Sequence, residues 1–239
     1  MYFCDLTLSS PEENLSCDEV LLESAERGEV CEVLRVWEPD RYFVVLGYGN
    51  NAVAEVNLSF CQENNIPVLR RFTGGGTVLQ GPGCINYSLI LRITEAGPLQ
   101  SISSTNAFIL QRHRATFAAL LEAPVKIAGQ TDLAIGGLKI SGNAQRRKKH
   151  SLIFHGTLLL DLDISVVEKT LAFPSKHPAY RLNRSHSDFL LNLKVPHSTI
   201  KPALAKCWSA HEPLSTIPFD QIKALARDKY RDPKWNLRL

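Results

Sequence analysis

A glycine-rich segment preceded by two arginines is the first part of the sequence whose residue types could do chemistry. It reads RRFTGGGTVLQGPG, from Arg70 to Gly83. The three successive glycines Gly74–Gly76 carry no Cβ, so a ligand can approach their amides closely. Such a concave run of N–H groups binds anions, and Arg70 and Arg71 could pair with phosphate or carboxylate oxygens. From spacing alone, a glycine-rich hairpin turn with solvated arginines fits equally well.

A lysine on a predicted strand is the second candidate. Lys139 lies between the apolar residues Leu138 and Ile140, one residue after the pair Gly136-Gly137, which predicts a hairpin turn. A lysine at that position either points to solvent or meets an anion, because an unpaired buried charge is very costly. The run ArgArgLysLys at 146–149 follows, with no acidic residue nearby in the sequence. This run indicates either a solvated loop or a surface that steers an acidic partner.

The elements that must position these residues are strands in hairpin groups with helices between the groups. Alternation and β-branched runs predict strands over residues 32–37, 42–46, 66–70, 85–93, 133–135, 138–141 and 155–160, the fourth of them with one buried face. Capping signals and apolar spacing predict helices over residues 17–27, 56–63, 104–121, 199–209 and 219–230. A further helix is predicted to begin at about residue 165. Residues 98–105 and 173–188 are the predicted long loops. This order predicts an α+β fold, with a mostly antiparallel sheet flanked by helices, in a single domain over residues 1–239.

Composition and charge narrow the class of protein. The 239 residues are 44% hydrophobic and 21% charged, which is typical of a globular chain, and the net charge of +3 is too small to indicate nucleic-acid binding. No apolar run reaches the roughly 18 residues that span a bilayer, and the N-terminus lacks the features of a secretory signal. Six scattered cysteines without a C-x-x-C pair are typical of reduced thiols rather than structural zinc. We therefore predict a cytoplasmic protein that binds neither nucleic acid nor membrane.

Taken together, the two segments resemble a known family. RRFTGGGTV and GPGCINYS, followed by TDL, GLKISGNAQRR and HGTLLLDLD, are similar to the lipoate–protein ligase A family. That family shares its fold with biotin–protein ligases and with lipoyl and octanoyl transferases. The resemblance extends from the first helix to KYRDPKWN at 229–236. The two motifs are specific in combination, whereas the glycine triplet alone is not.

The resemblance implies an activity, its cofactors and its partners. Members of the family react lipoate with ATP to give lipoyl-AMP and pyrophosphate, and a carrier lysine then displaces AMP to form an amide. ATP and Mg²⁺ are thus the implied cofactors, with lipoate or octanoate as the acyl substrate. The implied partners are acidic lipoyl carrier domains, of the 2-oxoacid dehydrogenase E2 or glycine cleavage H protein type.

The same resemblance assigns the residues of the site. Lys139 matches the catalytic lysine that contacts both the acyl carbonyl and the phosphate, and Asp132 matches an acidic position that holds Mg²⁺ near the phosphates. A lysine fixed between those groups stabilises the negative charge that develops on both. The other matches are the acyl-adenylate loop, a strand asparagine and three polar positions of the nucleotide site, namely Arg70, Arg71, Thr73, Gly74, Gly75, Gly76, Thr77, Val78, Leu79, Asn86, Ser141, Asn143 and Thr157.

The sequence also departs from the pattern of many ligases. Gln80-Gly81 stands where many of them carry His-Asp, and the GlyProGly at 81–83 is similar to the octanoyltransferases. The smaller C-terminal accessory domain of many ligases has no counterpart in these 239 residues. Two alternatives stay open here: this domain suffices alone, or a separate small protein supplies the missing function.

A cysteine-dependent octanoyl or lipoyl transferase of the same fold is the main alternative function. Such enzymes carry their nucleophile at one of two positions, which correspond to residues 123–130 and 151–155, and neither stretch contains cysteine. Cys84 lies beside the glycine segment, but without a base partner in sequence we interpret it as structural. A non-catalytic carrier-binding protein is the other alternative, and the presence of Asp132 and Lys139 argues against it.

Overall fold

Two β-sheets form the centre of the computed structural model, which describes residues 1–238. Its strands are β1 (Tyr2–Asp5), β2 (Val33–Trp37), β3 (Phe43–Leu46), β4 (Val68–Arg70), β5 (Val78–Gln80), β6 (Cys84–Arg92), β7 (Lys126–Ala128), β8 (Asp132–Ile135), β9 (Leu138–Arg147), β10 (Ser151–Leu159) and β11 (Glu212–Pro213). The larger sheet has the order β11-β1-β2-β6-β10-β9-β8-β7, and the smaller sheet has the order β4-β3-β5. In the larger sheet only β1 pairs in parallel, with β2 and β11, among the described residues.

The helices surround these sheets, which confirms the predicted α+β fold with a mostly antiparallel sheet. They are α1 (Pro11–Glu26), α2 (Ala52–Glu55), α3 (Leu58–Glu63), α4 (Ile102–Leu121), α5 (Ile164–Thr170), α6 (His186–Phe189), α7 (His197–Cys207), α8 (Phe219–Leu225) and α9 (Pro233–Asn236). Short helical turns cover Ala179–Arg181 and Ala226–Tyr230. The two predicted long loops are therefore partly helical, because α4 begins at Ile102 and α6 at His186. No helix within residues 1–238 is both long enough and apolar enough to cross a membrane.

The start of α1 shows how a capping signal misleads. Ser10 caps the helix by accepting a hydrogen bond from the amide of Glu13, and Pro11 occupies the first turn, where proline is tolerated. Ser16, whose spacing from Glu19 is that of a capping box and led to the predicted start at residue 17, lies inside the helix instead, and its hydroxyl donates to the carbonyl of Ile222. The prediction that this helix begins near residue 17 is therefore wrong.

Both faces of the larger sheet are covered. On one face, which we call the α4 face, residues such as Leu89 and Phe154 pack against α4 and α7. On the other, which we call the α1 face, Ile90 and Ile153 pack against α1 and α8. The prediction of a single buried face for residues 85–93 is wrong, because β6 is buried from Cys84 to Leu91. The alternating side chains of β6 therefore point to two covered faces, and neither face is open to solvent.

The α4 face contains a buried histidine. His113 on α4 is fully buried, and its Nε2 accepts a hydrogen bond of 2.8 Å from the indole of Trp208. Its Nδ1 has no hydrogen-bond partner among the described residues. Burial, together with the nearby charge of Arg112, lowers the pKa of His113 to about 3. The folded protein therefore holds this imidazole neutral.

The hairpin between β8 and β9 is the element that sequence predicts best. Gly136 and Gly137 have φ angles of +57° and +79°, the left-handed values that a tight hairpin turn requires at both positions. The strand after the turn is longer than predicted, since β9 continues to Arg147. The first half of the basic run at 146–149 is thus strand rather than loop.

Candidate active site

The glycine segment connects β4 to β5, and we call residues 71–77 the glycine loop. Gly74, Gly75 and Gly76 are exposed. A Cβ built on Gly74 or on Gly76 would meet nothing within 4 Å, and neither residue has a positive φ. Neither packing nor backbone geometry therefore demands glycine at these two positions. Space for a close ligand is the remaining physical reason for their lack of a side chain.

Arg71 is buried beneath this loop and orients its peptides. Its Nη2 donates to the carbonyl of Gly74 at 2.6 Å and to that of Gly76 at 2.8 Å. The C=O and N–H of a trans peptide point in opposite directions, so the amide of Gly75 points away from the guanidinium. Burial lowers the pKa of Arg71 to about 10, and it remains charged at neutral pH. The loop thus presents an amide to solvent and has a positive charge behind it.

Arg70 has a supporting position as well. Its buried guanidinium donates to the carbonyls of Gly47 at 2.9 Å, Asn50 at 2.7 Å and Arg238 at 2.6 Å. Direct pairing of Arg70 and Arg71 with an anion, which the sequence suggested, would require the guanidiniums to release some of these carbonyls. Backbone carbonyls occupy both guanidiniums, which fasten the loop to its neighbours and to the C-terminal segment.

A β-bulge sets the direction of Lys139. Ala134 pairs with Lys139 and Leu133 with Ser141, so Ile140 is an extra residue in the ladder between β8 and β9. Without the bulge, strand alternation would project Lys139 and Ser141 to the same face. With it, Ile140 packs into the core of the α4 face and Lys139 projects to the other side.

Lys139 lies across Gly142 and pairs with Asp132. A Cβ built on Gly142 would stand 2.7 Å from Lys139 Nζ, so glycine is what makes room for the lysine. Lys139 Nζ is 2.9 Å from Asp132 Oδ1, and the hydroxyl of Tyr180 donates to Asp132 Oδ2 at 2.8 Å. The ammonium is about one quarter exposed, with a side-chain exposure of 24%. It is therefore fixed by a carboxylate yet open to a ligand.

The glycine loop passes over β9 on the side to which Lys139 projects. A Cβ built on Gly75 would lie 3.4 Å from the Cβ of Ala144, which is two residues along the strand from Gly142. Residues two apart on a strand project to the same side. The exposed side of the loop and the ammonium of Lys139 thus border one surface of the protein.

A closed hydrogen-bonded ring lies beside that surface and explains one departure from the family pattern. Gln80 Nε2 donates to Thr157 Oγ1 at 2.7 Å, Thr157 Oγ1 to Asn86 Oδ1 at 2.6 Å, and Asn86 Nδ2 to Gln80 Oε1 at 3.0 Å. Gln80 therefore completes the ring with two of the predicted site residues. A side chain at Gly81 would collide with the ring of Tyr42, since its Cβ would be 2.2 Å away. Tyr42 occupies the space that an aspartate at this position would need.

Ser141 and Asn143 lie on the α4 face, apart from Lys139. Asn143 accepts a hydrogen bond from the hydroxyl of Tyr87 and donates to the carbonyl of Thr131 at 2.6 Å. Ser141 pairs across the sheet with Leu158, a core residue of that face, and its buried hydroxyl has no partner among the described residues. The structure thus separates the three predicted polar positions, because only Thr157 lies on the side of Lys139.

His155 is a site residue that sequence reasoning treated only as part of a strand. Its Nε2 is 2.7 Å from Thr73 Oγ1, and its Nδ1 is 3.8 Å from Asp18 Oδ2. Thr73 Oγ1 also accepts from Arg71 Nε at 3.1 Å, so this hydroxyl lies between the guanidinium and the imidazole. Polar His155 and Thr157, alternating in an otherwise apolar strand, were the available signal.

A buried ion pair anchors this chain of polar groups. Arg35 Nη1 lies 2.7 Å from Asp18 Oδ1, and Ser88 Oγ donates to Asp18 Oδ2 at 2.7 Å. Burial opposes ionisation of Asp18, but the charge of Arg35 and the contacts with His155 and Ser88 outweigh it and lower the pKa. The anchor connects α1 and the larger sheet to the first residues of the glycine loop.

Glu55 joins the far end of the glycine loop to a neighbouring segment. It accepts hydrogen bonds from the Thr77 hydroxyl, from Asn50 Nδ2 at 2.6 Å and from Ser175 Oγ at 2.7 Å. Burial raises its pKa, but these three donors outweigh that effect and hold the pKa below its ordinary value. Ser175 and Tyr180 belong to one segment, so residues 175–180 contact both ends of the site.

The basic run at 146–149 does not form a single cationic surface. Arg146 lies over the ring of Tyr48, with its Cζ 5.5 Å from the ring centroid. Arg147 instead donates to a carbonyl just before α4 at 2.6 Å, and Lys148 pairs with Glu23 on α1. The four basic residues therefore do not form the shared steering surface that the sequence left open as one alternative, because strand alternation divides the arginines and α1 supplies an acid to Lys148.

The cysteines offer no accessible nucleophile beside these groups. All six are free thiols, and only Cys31 is classed as exposed. Cys84 is fully buried, and burial raises its pKa to about 12, so the thiolate is absent at neutral pH. This burial supports the interpretation of Cys84 as structural.

The donors available for a metal are few. Within residues 1–238 no three His, Cys, Asp or Glu side chains converge on a metal position. Asp132 is the carboxylate that contacts Lys139, and both its oxygens already have protein partners. Mg²⁺ commonly binds one or two carboxylates together with substrate phosphates. Asp132 therefore fits a metal that arrives with a nucleotide.

Comparison with known proteins identifies the family. Residues 10–201 match the family model described as lipoyl protein ligase A/B catalytic domain. The chain belongs to this family. A probable lipoate-protein ligase A of Mycoplasma genitalium is 33% identical over 237 residues, which cover 95% of this chain and 69% of the relative. An octanoyltransferase LipM of Brevibacillus brevis is 25% identical, over 96% of this chain and 95% of the relative. The family thus contains both ligases and transferases.

Solved structures of lipoate ligases have the same fold. A lipoate-protein ligase A bound with ATP superposes with a TM-score of 0.84 at 22% identity, over 99% of this chain and 98% of that one. A bi-partite lipoate protein ligase from Thermoplasma acidophilum, studied with its E2 lipoyl domain, gives 0.82 at 22% identity, over 99% and 95%. At this level of identity the likeness shows the fold.

Proposed function

We propose that this chain is a lipoate–protein ligase that forms acyl-AMP from lipoate or octanoate and ATP, and then acylates a lysine of a lipoyl carrier domain. The observation that carries this proposal is the placement of the glycine loop and Lys139 on the same side of β9. Amides and a cation border an exposed surface there, whereas the Cys84 thiol lies in the core, where burial raises its pKa to about 12. Such a surface suits a reaction in which oxygens gain negative charge and no enzyme thiol takes part.

Each step assigns a task to residues of this chain. In the first step a carboxylate oxygen of the acid attacks the α-phosphorus of ATP and pyrophosphate leaves. The Gly75 amide and Lys139 hold the phosphate and acyl oxygens, and Asp132 is the residue that would bind Mg²⁺. Magnesium, when bound, neutralises phosphate charge. In the second step the neutral carrier amine attacks the acyl carbon, AMP leaves with the bonding electrons, and the amine nitrogen loses a proton to solvent. Lys139 stabilises the negative charge that develops on the acyl oxygen and on the phosphate.

The structural neighbours support the choice of ligands and partner. One neighbouring ligase binds ATP, and another was studied with its E2 lipoyl domain. We extend the carrier class to acidic domains of the glycine cleavage H type on chemical grounds, since both present one acceptor lysine. We propose that residues 1–239 form one catalytic domain and that a separate small protein acts as the accessory domain, as the bi-partite neighbour suggests. Six unpaired thiols are typical of a reducing compartment and support a cytoplasmic location.

An octanoyltransferase is the second candidate, and the LipM relative favours it because it matches nearly over its full length. A transferase starts from an acyl-carrier thioester and passes the acyl group through its own cysteine. Cys84 is the cysteine that follows the glycine loop in sequence, and its burial and high pKa argue against that role.

Mass spectrometry of a carrier domain separates the candidates. The carrier is incubated with the chain and one of two donors, lipoic or octanoic acid with ATP and Mg²⁺, or an octanoyl-carrier thioester without ATP. We expect acylation from the free acid with ATP, lost in Lys139→Ala and kept in Cys84→Ala. Acylation from the thioester alone would contradict the proposal. If neither donor leads to acylation, binding of a non-hydrolysable acyl-AMP analogue to the chain is measured next. Binding of the analogue indicates a missing accessory protein, and failure to bind it favours a non-catalytic carrier-binding protein.

A further inference from the structure

Cations and aromatic rings alternate along the surface beside the glycine loop. Arg238 lies between two rings, with its Cζ 4.2 Å from the centroid of Tyr48 and 4.0 Å from that of Trp235. Arg146 lies over the same Tyr48 ring at 5.5 Å, and the two aromatic centroids are 6.0 Å apart. We call Arg146, Tyr48, Arg238 and Trp235 the cation–aromatic ladder. Strand β9, the turn after β3 and the C-terminal segment contribute to it, so only the folded chain assembles it.

The ladder borders the candidate active site directly. The amide of Tyr48 donates to the carbonyl of Thr73, the residue before the glycine triplet, at 2.8 Å. Arg146 Nη1 donates to the carbonyl of Phe72 at 3.4 Å. A macromolecule that rests on the ladder would therefore stand beside the glycine loop, on the side of β9 to which Lys139 projects.

Within residues 1–238 no carboxylate compensates the charges of the ladder. Among these residues Arg146 and Arg238 have no acidic side chain within ion-pair distance, and Arg238 Nε has no hydrogen-bond partner. Some other surface cations do meet acids, as Lys148 meets Glu23 and Lys229 meets Glu19. The segment that carries Arg238 is itself basic, with five basic and two acidic residues between 227 and 238. Tyr48 is 42% exposed, so part of its ring is open to a partner.

We propose that the cation–aromatic ladder is the docking surface for an acidic patch on the carrier domain that presents the acceptor lysine. The inference rests on the proposed function and adds the place where the partner binds. Arginine and aromatic residues are the types enriched at the energetic centres of protein interfaces. Unpaired arginines select an acidic surface, and opposite charge raises the association rate. The ladder thus takes the place of the basic run at 146–149 as the proposed steering surface, and Arg146 is the one residue of that run that belongs to it.

The test separates the two half-reactions in charge-reversed variants. Arg238→Glu should raise the KM for the carrier about tenfold and Arg238→Gln about threefold, since a surface charge contact contributes up to about 1 kcal/mol and reversal adds repulsion. Formation of acyl-AMP without carrier should stay within about twofold, because the backbone carbonyl of Arg238, which Arg70 binds, is retained. The KM effect should shrink in 1 M salt, where screening acts over about 3 Å.

A matched control and a compensating change guard the interpretation. Lys206→Glu alters an exposed lysine on α7, on the α4 face of the sheet, and should leave the carrier KM unchanged. A carrier with its acidic patch reversed to lysine should restore the KM of Arg238→Glu. An unchanged KM in folded Arg238→Glu, or an equal rise in Lys206→Glu, would overturn the proposal. So would loss of heparin binding without any effect on the carrier, which would assign the surface to another polyanion. Failure of the wild-type chain to bind an acyl-AMP analogue would instead overturn the proposed function.

Discussion

Replacing Gly142 with alanine tests whether the position of Lys139, rather than its mere presence, produces activity. The new Cβ would stand 2.7 Å from Lys139 Nζ and 2.8 Å from its Cε, distances that real contacts do not show. Since both atoms belong to the end of a flexible side chain, Lys139 can swing aside while the backbone stays in place. Gly142 has no positive φ, so alanine introduces no backbone strain. We expect a folded protein whose lysine is displaced.

The magnitude follows from the contact that is lost. One preorganised charge contact at a reaction centre contributes about 3–4 kcal/mol, which corresponds to roughly 100- to 1,000-fold in the rate of acyl-AMP formation. Stability should change by less than about 1 kcal/mol, because alanine suits a strand better than glycine and offsets part of the rearrangement. The expected signature is therefore a large catalytic loss at nearly constant melting temperature.

The assay is single-turnover formation of acyl-AMP, with thermal unfolding measured on the same samples. Gly49→Ala is the matched control, since its Cβ would meet nothing within 4 Å and its φ is not positive. The double variant Gly142→Ala with Lys139→Ala should be no slower than Lys139→Ala alone, because both changes remove one contact. A rate for folded Gly142→Ala close to wild type, or a double variant with additive losses, would refute the reasoning.

Three further outcomes are expected. Gly74→Ala should keep the wild-type melting temperature, because the added Cβ meets no protein atom within 4 Å. The same Cβ would occupy the open space proposed for the ligand, so calorimetric titration should show that an acyl-AMP analogue binds at least about tenfold more weakly. Cys84→Ala should acylate a carrier from free acid and ATP at a rate within about threefold of wild type, as a mass assay would show, since the buried thiol takes no part. Between about pH 3 and pH 6.5 His113 binds a proton only when the chain is unfolded, so its contribution to stability falls as pH falls through this range. Urea unfolding between pH 7 and pH 5 should therefore show a loss that is about 2 kcal/mol larger in the wild type than in His113→Gln.

Local signals in the sequence were sufficient for the elements that carry the site. The two glycines at 136–137 predicted the hairpin because left-handed φ angles at both turn positions favour glycine. The alternation of residues 85–93 predicted β6, although not that α1 covers its second face. The predicted bounds of α4 and α7 likewise lie within a few residues of the observed ones.

The directions of the charged side chains could not be predicted locally. Arg70 binds carbonyls of Gly47, Asn50 and Arg238, the last of them 168 residues away in the chain. A guanidinium beside a glycine triplet looks the same in sequence whether it faces a ligand or such carbonyls. The pairing of Lys148 with Glu23 is invisible for the same reason.

One inserted residue also changes a face assignment. Strict alternation places Lys139 with Ser141 and Asn143, and the bulge at Ile140 moves Lys139 to the opposite side. No residue type in the segment announces that bulge. The functional lysine was therefore predicted by resemblance, whereas its surroundings became known only from the fold.

A crystal structure of the chain with a non-hydrolysable acyl-AMP analogue tests the central claim most directly. The account predicts that an oxygen at the phosphate position lies within about 3 Å of both the Gly75 amide and Lys139 Nζ, with Arg70 and Arg71 still bound to backbone carbonyls. An analogue whose phosphate oxygens contact Arg70 instead, or lie away from the glycine loop and Lys139, would contradict it.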